Sequence, residues 1–250
     1  MVTRILQYMI FLVSLSTCLS VSASVTITGS RIIYPSDAKS IDVHLKNNDN
    51  IPYVIQTWFD NGDVNSKPDQ ISEAPFVVTP PVFRIQPEAG QIIRVIYNSK
   101  KVYPKDRESV FWFNVLEIPP SNLGGQAHKN TMMVMLRNRM KIFYRPESIG
   151  KPGDVLKGLK VYLDTSSSKV DCLVIDNQQP WYISLVNVEI IYGERKYRVT
   201  PEMIPPYTAK KYQVCSLTNK NRKQGAVTLS AINDQGARIS ETYKIDAKEH

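Results

Sequence analysis

Histidine and cysteine are scarce in this chain, three of each in 250 residues. His44, His128 and His250 lie far apart, and no CxxC or HxxxH spacing occurs, so no metal site and no cofactor are expected. There is no GxSxG motif, and three scattered histidines give a serine nucleophile few general bases. A glycine-rich phosphate loop is also missing. Carboxylates are not scarce: with 23 Asp and Glu, composition alone leaves a two-carboxylate glycosidase open. Nothing else in the sequence points to an enzyme. No run of five or more cations occurs, so the net charge of +8 reads as solubility and not as nucleic-acid binding. Beyond the N-terminus no stretch is long and apolar enough to span a bilayer. A sustained 3.6-residue apolar period is absent too, which argues against long amphipathic helices.

What the N-terminus does have is one cation, Arg4, an apolar run over residues 5–15, and the small-residue ending Val21-Ser22-Ala23. That pattern is a secretory leader over residues 1–23; a spanning helix needs about 20 apolar residues, which leaves a short membrane anchor as the alternative. The mature chain is then expected to start at Ser24, outside the cytosol and without membrane insertion. Cys18 leaves with the leader, so Cys172 and Cys215 remain as an even pair in an oxidising compartment. A disulfide is the expectation, worth roughly 3–4 kcal/mol in the chain-entropy account.

Nearly every remaining segment reads as a strand. Runs rich in Val, Ile, Tyr and Thr cover 25–34, 40–46, 53–59, 91–97, 110–118 and 132–144, then 159–163, 170–175, 182–191, 226–232 and 239–245. Turn residues separate them, as in Asn47-Asn48-Asp49-Asn50, Asn61-Gly62, Gly124-Gly125 and Asp234-Gln235-Gly236. The expected fold is all-β, as β-sandwiches of about 100 residues each. Residues 145–154 hold two prolines and two glycines and make a natural hinge, dividing the chain into domains 24–147 and 153–250.

Two features resist a purely structural reading. The stretch MMVMLRNRMKIFYRP (132–146) is apolar at each of its first five positions and then carries Arg137, Arg139, Lys141 and Arg145. In a strand, Met132, Val134 and Leu136 share one face while Met133 and Met135 share the other, here expected to be the domain's own core. A buried central strand and an edge strand awaiting a partner both explain it, and periodicity does not choose. Arg31 sits inside another apolar strand pattern, where an unpaired buried cation is costly. It either pairs with a carboxylate or waits, with a second cation, for an anionic ligand.

Six segments carry a resemblance: SRIIYP (30–35), PFVVTPPVFRIQP (75–87), QIIRVIYN (91–98), RESVFWFNVLEIPP (107–120), RMKIFYRP (139–146) and, more weakly, INDQGA (232–237). In these the chain resembles the periplasmic pilus (fimbrial) assembly chaperones of the PapD-like family. The resemblance implies two immunoglobulin-like sandwiches set as a boomerang, and a non-enzymatic function. Such a chaperone binds pilus subunits by lending them a strand and delivers them to an outer-membrane usher. It implies Met132, Val134 and Leu136 as the donated row, Arg31 and Lys141 as the anchor for the subunit's C-terminal carboxylate, and Arg145 bridged to Glu108 and Asp234 between the domains. Loop 121–129 is modest in length and unflanked by cysteine, which resembles the short-loop branch. The resemblance does not extend to a Cys172–Cys215 disulfide, whose pairing rests on the compartment alone. A secreted two-domain adhesin or other binding module is the alternative. Self-association of the free chain through its uncovered edge is left open.

Overall fold

The computed structural model describes Arg4 and residues 24–70, 72–121, 132–164, 171–192, 195–214, 225–245 and 247–248. The β-branched and aromatic runs form strands, as period-two patterning requires. The first half holds β1 (Val25–Ile27), β2 (Arg31–Pro35), β3 (Ile41–Asn47), β4 (Tyr53–Asp60), β5 (Phe76–Thr79), β6 (Val82–Ile85), β7 (Gly90–Tyr97), β8 (Ser109–Ile118) and β9 (Leu136–Arg145). They make two sheets, ordered β1-β3-β7-β5 and β2-β9-β8-β4-β6. Between them lies a core that includes Tyr34, Ile55, Ile93, Val95, Phe113 and Ile142, all essentially buried.

The second half holds β10 (Leu159–Asp164), β11 (Asp171–Asn177), β12 (Ile183–Tyr192), β13 (Arg195–Val199), β14 (Met203–Ile204), β15 (Thr208–Val214), β16 (Gly225–Ile232), β17 (Arg238–Ile245) and β18 (Ala247–Lys248). Its sheets run β15-β11-β10-β18 and β13-β12-β16-β17, with β14 against β12. A separate core gathers around Leu173, Ile175, Val188, Ile190, Val227 and Leu229. The chain is thus all-β, two immunoglobulin-like sandwiches, each with its own interior.

One polar device recurs in both. Asn47, fully buried at the end of β3, donates to the carbonyls of Ile51 and Gln86 and accepts from the Asp49 amide. Asn177, fully buried at the end of β11, donates to the carbonyls of Trp181 and Pro205 and accepts from the Gln179 amide. Each closes the turn leaving its strand, where backbone groups would otherwise lack partners.

Two expected strands differ from what forms. The run 25–34 is two strands in opposite sheets, because Gly29 takes φ +90°, a conformation open to glycine, and re-aims the chain. The run 132–144 starts its strand only at Leu136. The strands β5, β6, β13, β14, β15 and β18 escaped the pattern reading. β5 and β6 flank Thr79-Pro80-Pro81, whose first proline bond is cis, while β13 and β15 are dense in Lys and Arg.

Candidate functional site

The site is built around β9. From Lys141 to Tyr144 this strand is paired on both sides, antiparallel to β8 and parallel to β2. From Leu136 to Met140 it pairs with β8 alone, and no described strand covers its other edge. Met140, Ile142 and Tyr144 pack on the first core, so even-numbered positions face inward and Leu136 extends their row. Odd positions face away from the core. The expectation that the odd residues of 132–136 point into the domain's own core is therefore corrected. Met133 and Met135 precede the strand and are about half exposed, at 45% and 53%. Met132, Val134 and Leu136 are exposed as well. Beside the open edge, β1 belongs to the opposite sheet, which leaves a groove of about 400 Å3 lined by Ser24, Val25, Ile27, Glu117, Leu136 and Met140.

The four cations of β9 lie on one face and meet different fates. Arg139 makes a two-point ion pair with buried Asp60, 2.5 and 3.1 Å, and its guanidinium lies 4.6 Å from the Trp112 ring centre. Arg137 donates to Asn114 Oδ1 at 2.8 Å and to the Val64 carbonyl at 2.8 Å, and stacks 4.9 Å from the Trp58 ring centre. Burial would raise the Asp60 carboxyl, but hydrogen bonds from Arg139, Asn114 and the Gly62 amide outweigh it and hold the group below the usual carboxylate range. Asp60 and Asn114 were missed in the sequence; an Asn inside the apolar run VFWFNVLEI was the available signal.

Arg145, 7% exposed, joins the two halves. Its Nε donates to Glu108 Oε1 at 2.7 Å, while Nη1 and Nη2 reach Asp234 Oδ2 and Oδ1 at 2.7 and 3.0 Å. Glu108 also accepts the Tyr182 amide at 2.9 Å, so the carboxylate is shared between sandwiches. Desolvation works against the Arg145 charge, but the bonds to Asp234 and Glu108 prevail and raise its pKa. The Asp234-Gln235-Gly236 turn packs tightly beside this joint: a Cβ on Gly236 would stand 2.9 Å from Ser30 Oγ.

Lys141 is the fourth cation, and the register sets it directly opposite Arg31 on β2. Neither forms an ion pair among the described residues. Arg31 Nε is buried without a hydrogen-bond partner, and the guanidinium lies 5.8 Å from the Phe143 ring centre. Burial lowers Arg31, against an upward pull from Asp234 and Glu108; burial and then the Arg31 charge lower Lys141. Two like charges, half-buried and unneutralised, stand at the point where the edge of β9 becomes free. Such a pair is an anion-binding arrangement, with a carboxylate as the natural fit.

Cys172 has no disulfide partner among the described residues, and Cys215, its expected partner, lies outside them. No group of His, Cys, Asp and Glu among the described residues is arranged to hold a metal, and no described helix is long and apolar enough to cross a membrane.

Two family profiles match, "Pili and flagellar-assembly chaperone, PapD N-terminal domain" over residues 24–150 and "Pili assembly chaperone PapD, C-terminal domain" over residues 155–243. The probable fimbrial chaperone YadV of Escherichia coli K12 is 38% identical over 229 residues, covering 89% of this chain and 92% of that protein. Its crystal structure superposes with a TM-score of 0.70 at 35% identity, over 89% of this chain and all of that one. The chaperone protein HifB of Haemophilus influenzae is 33% identical over 87% of this chain and 86% of its own length. The SafB chaperone of Salmonella enterica, solved in complex with the SafA pilin, shares the fold at 23% identity and a TM-score of 0.68, over 90% of this chain and 98% of that one.

Proposed function

The chain belongs to the PapD-like family of pilus-assembly chaperones, which are not enzymes, and on that premise we propose how its residues hold a pilus subunit. Arg31 and Lys141 receive the subunit's C-terminal carboxylate. The free edge of β9, prolonged on binding through Val134 and Met132 in line with Leu136, lies down beside the subunit and completes its sheet. The carboxylate fixes the register, because a slip of one residue would turn the row to the wrong face. The observation that carries this reading is the Arg31–Lys141 pair: two unneutralised cations at the foot of an unpaired strand edge.

The same reading extends to the surroundings. Residues 1–23 are a leader, and the mature domains span 24–147 and 153–250 in the periplasm. The loaded complex passes to an outer-membrane usher. Before loading, the exposed row of 132–136 is the surface on which two copies would self-associate. Pairing of Cys172 with Cys215 belongs to the same compartment reading.

The test is capture. Arg31→Ala or Lys141→Ala should cost about 2–5 kcal/mol of binding and abolish co-purification of subunits from periplasm, while thermal melts of the chaperone stay cooperative. Normal subunit levels on a folded variant would overturn the anchor assignment.

A further inference from the structure

Glu117 ends the inward-facing row of β8 at the head of the groove and is 2% exposed. It opposes Leu136 in the β8–β9 register. Its carboxylate accepts from Ser24 Oγ at 2.5 Å on one oxygen and from Asn138 Nδ2 at 2.7 Å on the other. Both donors are neutral, and no cation among the described residues pairs with it. A buried carboxylate served only by neutral groups is an expensive arrangement. The elements packed around it do not resolve this. Tyr53 and Asp49 bring a phenol and a second carboxylate, and burial, Asp49 and the charge of Glu117 push the Tyr53 hydroxyl up to about 12. Lys46 donates its ammonium to the Glu88 carbonyl, and Arg139, which also lines the groove, is paired with Asp60.

Ser24 is the first residue of the mature chain if the leader is cut after Ala23. Covalent geometry keeps a serine nitrogen roughly 3–4 Å from its own Oγ. The nitrogen of Ser24 is therefore within about 6 Å of the Glu117 carboxylate, the range in which opposite charges stabilise each other. In the precursor that nitrogen is a neutral amide; cleavage makes it an ammonium.

We propose that Glu117 is the built receptor for the α-ammonium group of mature Ser24, so that removal of the leader installs the missing cation at the head of the subunit groove. The carboxylate is placed in advance, and processing completes the pair. Because Glu117 also holds Asn138 on the free edge of β9, the new ion pair ties the chain's start to the edge that receives the subunit.

This rests on the leader reading, and the experiment separates the two. N-terminal sequencing of the exported protein reports the cut; a start other than Ser24 overturns the proposal, whatever becomes of the chaperone assignment. On the mature chain, reductive 13C-dimethylation of the α-amine gives an NMR signal that titrates with it. The expected result is a pKa raised by about one unit or more above the usual α-amino value near 8. Glu117→Gln keeps the hydrogen-bonding shape and removes the charge, and should return the value to the ordinary range. A chain with one glycine added before Ser24 moves the ammonium one residue away and should do the same. A raised folded-state pKa means stability present below the unfolded value and lost as pH rises through the folded one. The mature protein should therefore show a melting-temperature decline above pH 8 that the glycine-extended chain lacks. Identical titration in all three chains would overturn the assignment.

Discussion

Arg145 and the Arg31–Lys141 pair sit on the same two strands, a few residues apart, and nature has treated them in opposite ways. Arg145 meets two carboxylates through five-donor geometry and is all but sealed from water. Arg31 and Lys141 face each other with no anion between them. The first arrangement is complete without a ligand and so serves the joint between the sandwiches. The second has no anion among the described residues, which is what the proposed anchor role requires. Side-chain type does not separate the two arrangements; the presence or absence of a partner does.

The comparison is broken most severely at Arg145. Arg145→Ala leaves Glu108 buried and unpaired, and should cost about 3–5 kcal/mol of stability. A melt that falls only slightly, with the spacing of the two sandwiches unchanged by small-angle scattering, would show that the joint does not depend on this residue.

Next in size is the strand row. Val134 is 62% exposed and precedes the strand, so Val134→Asp should change the melt by little, within about 0.5 kcal/mol, yet place a charge in the subunit's apolar groove and abolish capture. Met133→Asp, off that row and outside the strand, should leave both the melt and capture close to wild type. Loss of capture from both, or from Met133→Asp alone, would put the wrong row against the subunit.

The smallest effect sharpens the comparison through pH. Burial and Arg31 lower the Lys141 pKa in the free protein, and a bound carboxylate would raise it again. Subunit binding then takes up a proton: affinity is full below the free-state pKa of Lys141 and declines as pH rises through it, below lysine's ordinary value of about 10.4. Lys141→Arg should flatten that decline, measured by titration calorimetry with a peptide carrying a free C-terminus. An equally steep decline in Lys141→Arg would place the titrating group elsewhere.

These contrasts were unevenly legible in the sequence. Arg31 stood out because a cation within an apolar strand pattern needs a reason, whereas Lys141 was legible as its partner only through the family resemblance. The all-β class followed from short β-branched runs broken by turn residues. The facing of 132–136 was misread because a run apolar at every position carries no period, so nothing fixes which side is inward or where the strand begins. The break at Gly29 was hidden by continuous β propensity on both sides. Asp60 and Glu117 could not be read at all, since their partners come from strands distant in sequence. The twin asparagines were in view, Asn47 before Ile51-Pro52-Tyr53 and Asn177 before Pro180-Trp181-Tyr182, but only the shared hydrogen bonds reveal them as one device.

The parallel pairing of β2 with β9 has a consequence for when the protein becomes competent. Arg31 and Lys141 are 141 − 31 = 110 positions apart, and they become neighbours only through that pairing. Long loops close late and parallel contacts are slow to form. A chain still short of its ninth strand has not brought the two cations together, however much of its apolar surface is exposed. Under the proposed anchor role, only a chain whose first domain has paired β2 with β9 would be able to hold a subunit by its end.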